Sequence, residues 1–354
     1  MISIPKKTTE EVDWTTPIRN LIAQSYGESP DNYATECASL QRCRQDAVRG
    51  AGSDFTGEHS FIMVRDDIYS GLLWIARDLL YKYFGQLELL ELRFSEIRVN
   101  FPWHDAFTNK LITQTSIAYE KASILFQIAV THSAIAASQS RSDPEGLKRA
   151  FYYFKTCAGM LTYINENFLH APSTDLSREV VKFLVNIILA QATEVFFEKC
   201  TDEKKGAALV SKIGSQAAYL YNSLTEEVKE FMGKGIFDRN WVTLIQVGSN
   251  QIFCAKHTLT SLRSKRNTSH RSHSTTADWQ TVPQINMEKR SHGSIKQNHL
   301  PKKPAVQHLA FPPRLFLTCH QTSPPTLELL FKNGQKLILP YARKRRTKRS
   351  VKTI

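Results

Sequence analysis

The segment TSIAYEKASILFQIAVTHSAIAA, residues 115–137, sets the architecture of this chain. It carries only two charged side chains, Glu120 and Lys121, and its apolar side chains fall on most faces of a helix. A helix that is apolar on most faces is buried in a protein core. We therefore predict a central core helix at 115–137, with the other helices of the chain packed around it.

Helical patterns are found on both sides of this segment. Asp143 and Pro144 are well placed to be the N-cap and the first residue of the next helix. Short polar turns separate consecutive helices, so we expect antiparallel helix pairs, although the sequence has no fixed-period repeat. The other helices are predicted from Pro17 onward and at 31–49, 79–94, 144–169, 173–199 and 203–229. A short edge strand is predicted at 2–7, and a short strand or extended segment at 101–107.

The charge of the chain is unevenly distributed. The formal net charge is +13, yet residues 1–247 hold 26 Lys and Arg against 30 Asp and Glu, and residues 248–354 hold 20 against 3. The first part has the mildly acidic balance of an ordinary folded protein. The second part is rich in Ser, His, Pro, Lys and Arg and lacks apolar periodicity, so we expect it to be largely disordered.

The cysteines and the apolar runs indicate a cytosolic protein. The six cysteines are scattered without a CxxC pair, which is typical of a reducing compartment. The N-terminus is polar and resembles no signal peptide. The most apolar run, at 180–192, is interrupted by Lys182 and Asn186 and is shorter than the ~20 residues that span a bilayer.

The sequence offers little to an enzyme. Phosphate-binding, dinucleotide-binding, zinc-protease and serine-hydrolase motifs are absent. Cys157 lies in a helical segment beside Ala and Gly, which favours close packing over nucleophilic chemistry. His104 and Asp105 are neighbours in an extended segment and would point to opposite faces. We predict no catalytic residue, cofactor or metal site, and this includes the histidines near the C-terminus, His257, His270, His273 and His292.

Two apolar faces meet at the predicted turn between the helices at 173–199 and 203–229. Phe196, Phe197 and Lys199 close the first helix, and Leu209 and Ile213 begin the second. Such faces could form a groove for the amphipathic helix of a partner, or they could only seal the two helices together. Both readings are open at this stage.

Six blocks of the sequence resemble the Bro-type domain family, which includes Alix. Their residues are most similar to those of the fungal vacuolar-sorting branch of the family. They keep the order and spacing of the family. The blocks are VDW (12–14) with SYG (25–27), YFGQL (83–87), FPWHDAF (101–107), YEKASILF (119–126), NENFL (165–169) with STDL (173–176), and LAQATEVFF (189–197).

The resemblance implies a mainly α, boomerang-shaped scaffold with tetratricopeptide-like helix pairs and a small β element near the N-terminus. It implies a non-enzymatic endosomal-sorting adaptor that binds the C-terminal amphipathic helix of an ESCRT-III filament subunit in the sorting of cargo to the vacuole. Full-length relatives also recruit a ubiquitin-removing protease. By this resemblance Phe196, Lys199, Leu209 and Ile213 are the partner-binding residues. The expected location is the cytoplasm, peripherally on endosomes.

Two segments depart from the family pattern. Residues 58–76 are an insert where relatives run directly from Gly57 to Arg77, and the match ends near Val247, which makes 1–247 a partial, C-terminally truncated domain. We favour the interpretation that 58–76 and 248–354 are translated intron or out-of-frame sequence. The basic cluster at 343–349 leaves a basic-tailed nucleic-acid-associated protein as an alternative, and the ambient-pH-signalling branch of the family is another.

Overall fold

The computed structural model describes residues 1–52, 66–94, 96–168, 172–237, 239–250 and 252. Within these ranges the chain is mainly α-helical, with one small antiparallel sheet, which confirms the predicted fold class. In chain order the elements are α1 (Thr15–Leu21) with a π-helical turn (Ile22–Tyr26), a 3-10 turn (Pro30–Tyr33), α2 (Ala34–Gly52), α3 (Asp66–Arg93), β1 (Phe101–His104), β2 (Leu111–Gln114), α4 (Ile117–Ala137), α5 (Pro144–Asn167), a 3-10 turn (Thr174–Leu176), α6 (Arg178–Asp202), α7 (Ala207–Gly233) and α8 (residues 239–250).

Helix α4 is the centre of the core, as its composition predicts. Its residues 122–133 are all buried. Lys121, at the preceding position, is partly exposed and pairs with Glu88 and Glu91 on α3. On the other side His132 stacks on Tyr153 of α5, with ring centroids 5.3 Å apart. The core helix at 115–137 is therefore confirmed, with α3 and α5 packed against it.

A buried carboxylate joins four elements at the start of α4. Glu120 is fully buried and accepts three hydrogen bonds: from Arg44 Nε (2.9 Å), from the Tyr83 hydroxyl (3.0 Å) and from Trp103 Nε1 (2.6 Å). These donors belong to α2, α3 and β1. Burying a carboxylate is costly unless it is paired and hydrogen-bonded, and here both conditions are met.

The prediction of a strand at 2–7 is wrong. Residues 2–7 form no strand; the backbone N–H groups of Ile4 and Lys7 donate to side chains of α4, at 3.1 Å to Ser133 Oγ and at 2.9 Å to Gln127 Oε1. The Gln127 amide returns a bond of 2.7 Å to the carbonyl of Lys7. Side-chain amides and hydroxyls thus take the place of a neighbouring strand, and the Lys7 ammonium is buried against Asp175.

The sheet lies where the prediction placed a strand. Strand β1 pairs antiparallel with β2, with Phe101 opposite Gln114 and His104 opposite Leu111. An isolated bridge between Thr9 and Trp103 attaches the N-terminal segment to the sheet. This arrangement gives the small β element that was expected.

Helices α5, α6 and α7 form successive antiparallel pairs. Asp143 caps α5 as predicted, since its carboxylate accepts from the backbone N–H groups of Glu145 and Gly146. Helix α6 meets the length and composition of a membrane span, but 72% of its apolar window is buried inside the protein, as in a core helix of a soluble protein.

Part of the predicted insert 58–76 continues a helix of the body. Residues 58–65 lie outside the described residues, whereas residues 66–76 form the first turns of α3. Leu73, Ala76 and Leu80 are buried at helical spacing, and Trp74 packs edge-on against Tyr153 at 5.5 Å. The helix predicted at 79–94 therefore begins earlier, because the apolar period extends back through Leu73.

The predicted tail begins inside a described helix. Residues 248–250 belong to α8, which packs on α7, with Gly248 beside the Tyr221 ring. The rest of the predicted disordered tail lies outside the described residues, apart from the buried Ile252.

Candidate functional site

Cys157 and Asp105, two residues that a catalytic hypothesis would use, are buried. Cys157 is fully buried, and burial raises the pKa of its thiol. Burial alone would raise the pKa of Asp105, but backbone N–H donors at Thr108, Asp175 and Phe107 hold it below its ordinary value. Asp105 is thus a buried turn acceptor that ties the β1–β2 turn to the 3-10 turn before α6.

The structure describes only some of the residues for which the absence of a metal site was predicted. Among the described residues no group of His, Cys, Asp and Glu is arranged to hold a metal ion. The four histidines near the C-terminus, at 257, 270, 273 and 292, lie outside the described residues.

The crossing of α6 and α7 sets the geometry of the predicted groove. The two helices touch at Phe197 and Gly214, where an added Cβ on the glycine would lie 2.9 Å from the Phe197 ring. Further along, the Tyr221 hydroxyl donates to Glu194. As residue numbers fall on α6 they rise on α7, so the helices are antiparallel, and the glycine permits their close approach.

Phe196 and Ile213 lie on the same side of this helix pair. Each precedes a contact residue by one position, Phe197 on α6 and Gly214 on α7. One residue turns a helix by about 100°, and in antiparallel neighbours these two turns lead to the same side of the pair. Both side chains are partly buried against the core and partly accessible.

Some apolar residues at this crossing seal the two helices together, and others are accessible for binding a partner. Phe197 and Val210 are 5% and 3% exposed, so they seal α6 against α7. Leu209 is 49% exposed at the first turn of α7, and Phe196 and Ile213 are half-buried. We call the accessible set Phe196, Leu209 and Ile213 the outer patch.

Helix α5 extends the outer patch. The Phe196 ring stacks on Phe151 with centroids 5.2 Å apart and an interplanar angle of 29°. Lys155, one turn further along α5, holds its ammonium 5.8 Å from the Phe151 centroid. The sequence reasoning missed Phe151 and Lys155, because their only local signal is an aromatic–lysine pair at i, i+4 and their role depends on how α5 packs on α6.

Lys199 lies at the end of α6 and is half-buried. Its ammonium pairs with Glu203, one turn further on, and the other carboxylate oxygen of Glu203 lies 3.2 Å from Lys205 Nζ. Hydrogen bonds from Lys199 and Lys205 lower the pKa of the Glu203 carboxyl. The structure therefore places Lys199 in an ion-pair cluster at the end of α6, the helix that carries Phe196.

Antiparallel helix pairs packed around a buried central helix, with an accessible apolar patch on one pair, define a mainly α-helical domain of stacked helix pairs. The chain belongs to the BRO1-like domain family, whose sequence profile matches residues 1–274. That match includes the whole described body and extends beyond residue 247.

Three relatives illustrate the similarity. A vacuolar protein-sorting protein BRO1 of Cryptococcus neoformans var. neoformans serotype D is 62% identical over 247 residues, which are 70% of this chain and 24% of that protein. The bro1 protein of Aspergillus fumigatus is 50% identical over 250 residues, 70% of this chain and 24% of that protein. The ALG-2 interacting protein X of Dictyostelium discoideum is 33% identical over 250 residues, 68% and 29%. The chain thus spans about a quarter of the length of its fungal relatives.

Solved structures show the same fold. The ALIX BRO1 domain in a complex with CHMP4C matches with a TM-score of 0.63 and 26% identity, over 76% of this chain and 74% of that chain. ALIX in complex with the SIVmac239 PYKEVTEDL late domain matches with a TM-score of 0.63, over 76% of this chain and 38% of that chain.

Proposed function

We propose that this protein is a non-enzymatic endosomal-sorting adaptor whose outer patch binds the C-terminal helix of an ESCRT-III filament subunit. The observation that carries the proposal is the accessible set Phe196, Leu209 and Ile213 on one helical hairpin of a BRO1-like body. The vacuolar protein-sorting relatives and the complex of the ALIX BRO1 domain with CHMP4C support it.

The patch has the chemistry of a helix-binding surface. An amphipathic helix presents apolar residues every three or four positions, and Leu209 and Ile213 have the same spacing on α7. Phe196, whose ring stacks on Phe151, adds an aromatic anchor to the patch. Lys199 supplies a positive charge to the same end of α6 for an acidic side chain of the partner.

Affinity should be modest. Burying two or three large side chains at ~25 cal/mol per Å² gives a few kcal/mol in gross terms, and ordering the partner helix subtracts from this gain. A Kd in the micromolar range or weaker follows. Such binding suits an adaptor that must also release its partner.

Titration calorimetry with a synthetic C-terminal peptide of CHMP4C tests the proposal. Ile213→Asp and Phe196→Asp should each abolish detectable binding, because they place a carboxylate in the apolar patch. Leu92→Asp is the matched control, since Leu92 is an apolar residue that is 82% exposed on α3, and it should leave the Kd unchanged. Wild-type affinity in the Ile213→Asp protein, with unaltered circular dichroism, would refute the placement of the site.

We also propose the domain organisation and location predicted above. In this proposal 1–247 is the partner-binding body, 58–76 is an insert, 248–354 is a basic tail, and the protein is cytoplasmic and peripheral on endosomes. Recruitment of a ubiquitin-removing protease is a further proposal for longer relatives. Sequencing the messenger RNA across codons 57–77 and 247–248 tests the intron hypothesis, which a spliced message that retains both segments would refute.

A further inference from the structure

The charged side chains beside the outer patch have a small positive excess. At the adjoining ends of α5, α6 and α7, residues 141–155 and 194–212, eight Lys and Arg stand against six Asp and Glu. Residues 1–247 as a whole have more acidic than basic side chains, so this local excess is a distinct feature of the surface. It favours a partner with acidic side chains.

Glu203 holds two of these lysines at once. Lys204, two residues after the end of α6, has a φ of 53°, in the left-handed region, and the Lys205 N–H donates to the Cys200 carbonyl at 3.0 Å. This left-handed turn reverses the chain after the helix. One oxygen of Glu203 then contacts Lys199 within the helix, and the other lies 3.2 Å from Lys205 beyond it.

The ion pair between Glu203 and Lys199 is partly exposed to water. The side chains of Lys199 and Glu203 are 21% and 35% exposed, whereas those of Arg44 and Glu120 in the core are 1% and 0% exposed. A partly exposed ion pair contributes little to stability because water solvates both charges. A carboxylate from outside could therefore replace that of Glu203 without disturbing the fold.

We propose that Glu203 is a placeholder for an acidic side chain of the bound helix. In the free protein Glu203 forms ion pairs with Lys199 and Lys205. When the partner helix binds, a carboxylate of the partner replaces Glu203 as the ion-pair partner of Lys199. Glu203 thereby lowers the affinity for acidic helices and keeps Lys199 ordered while the site is empty. This inference rests on the proposed function and adds that the site selects a partner helix with acidic side chains.

The test compares Glu203→Gln with the wild-type full chain in binding a fluorescent CHMP4C C-terminal peptide. A second peptide carries Asn and Gln in place of its Asp and Glu. Glu203→Gln should tighten binding of the acidic peptide ~2-fold to 5-fold at low ionic strength, the range that a released surface ion pair allows. The gain should vanish with the amide peptide and largely vanish at about 0.5 M salt.

A matched control separates this effect from a change in net charge. Glu226→Gln removes an exposed α7 carboxylate that pairs with Lys229 at i, i+3, and it should leave the Kd nearly unchanged. Circular dichroism of each variant reports helical content.

The outcomes distinguish the placeholder role from the site itself. Unchanged or weaker binding by Glu203→Gln, while Ile213→Asp abolishes binding, overturns the placeholder role alone. Equal gains with the acidic and amide peptides also overturn it. Binding by neither the wild type nor Glu203→Gln refutes both the placeholder and the proposed function.

Discussion

Glu120→Gln tests the buried carboxylate that joins α2, α3 and β1 to α4. The substitution keeps the size of the side chain but replaces one oxygen acceptor by an NH2 donor. All three partners, Arg44, Tyr83 and Trp103, donate to Glu120, so the new NH2 group would face a donor. The Arg44 charge would also lose its buried counter-ion.

The magnitude follows from the burial of the pair. The Arg44 and Glu120 side chains are 1% and 0% exposed, so water cannot replace the lost interaction. Burial alone would lower the pKa of Arg44, yet Glu120 and Tyr83 raise it above its ordinary value, so the guanidinium stays charged. Removing one partner of a buried ion pair costs about 3–5 kcal/mol of stability. We therefore expect Glu120→Gln to lose about 3–5 kcal/mol of unfolding free energy, a large share of the stability of a typical domain.

Urea unfolding followed by circular dichroism measures this loss. The midpoint should fall while the slope m stays the same, which would mark a change in stability and not in the surface exposed. Glu226→Gln is the control, because its carboxylate belongs to an exposed pair, and its effect should stay below about 1 kcal/mol. A loss under 1 kcal/mol for Glu120→Gln would refute the reasoning.

Two further predictions concern buried positions. Burial lowers the pKa of His132, which contacts the Tyr81 hydroxyl at 2.8 Å, to about 3. Because the unfolded state binds a proton near pH 6.5 and the folded state does not, stability should fall below pH 6.5, by up to about 1.4 kcal/mol per pH unit from this group. His132→Gln should flatten that dependence between pH 7 and 4.5 in urea titrations, and an unchanged slope would contradict it. Gly214→Val should lower the thermal midpoint of unfolding, because overpacking against Phe197 costs about 1–3 kcal/mol. Gly233→Val is the control and should have a much smaller effect, because Gly233 has open space around it. Equal shifts of the midpoint in both variants would contradict the close packing of α6 on α7.

Local signals predicted the elements that depend on local physics. The core position of α4 follows from its near absence of charge, and Asp143 caps α5 because the capping carboxylate and its donors are neighbours in the chain. The segment at 2–7 was assigned wrongly as a strand. Its hydrogen bonds go to Gln127 and Ser133, more than a hundred residues away, and no local pattern reports such partners.

The candidate site was predictable only in part. Phe196, Lys199, Leu209 and Ile213 were found through the family resemblance, and their role in binding stays a prediction. Which apolar residues face outward depends on the rotation of α6 against α7, and this rotation is fixed by the packing of Phe197 on the glycine at 214. Packing between helices is a tertiary property, so the sequence left the sealing and binding readings open.

The most direct test of the outer patch is methyl NMR of the full chain during titration with the CHMP4C C-terminal peptide. The account predicts that the methyl groups of Leu209 and Ile213 shift most, and that Ile213→Asp removes the response. Leu244 and Val247 are accessible on α8, with exposed fractions of 47% and 45%, and should not shift. Saturable shifts centred on α8, with Leu209 and Ile213 unperturbed, would contradict the account.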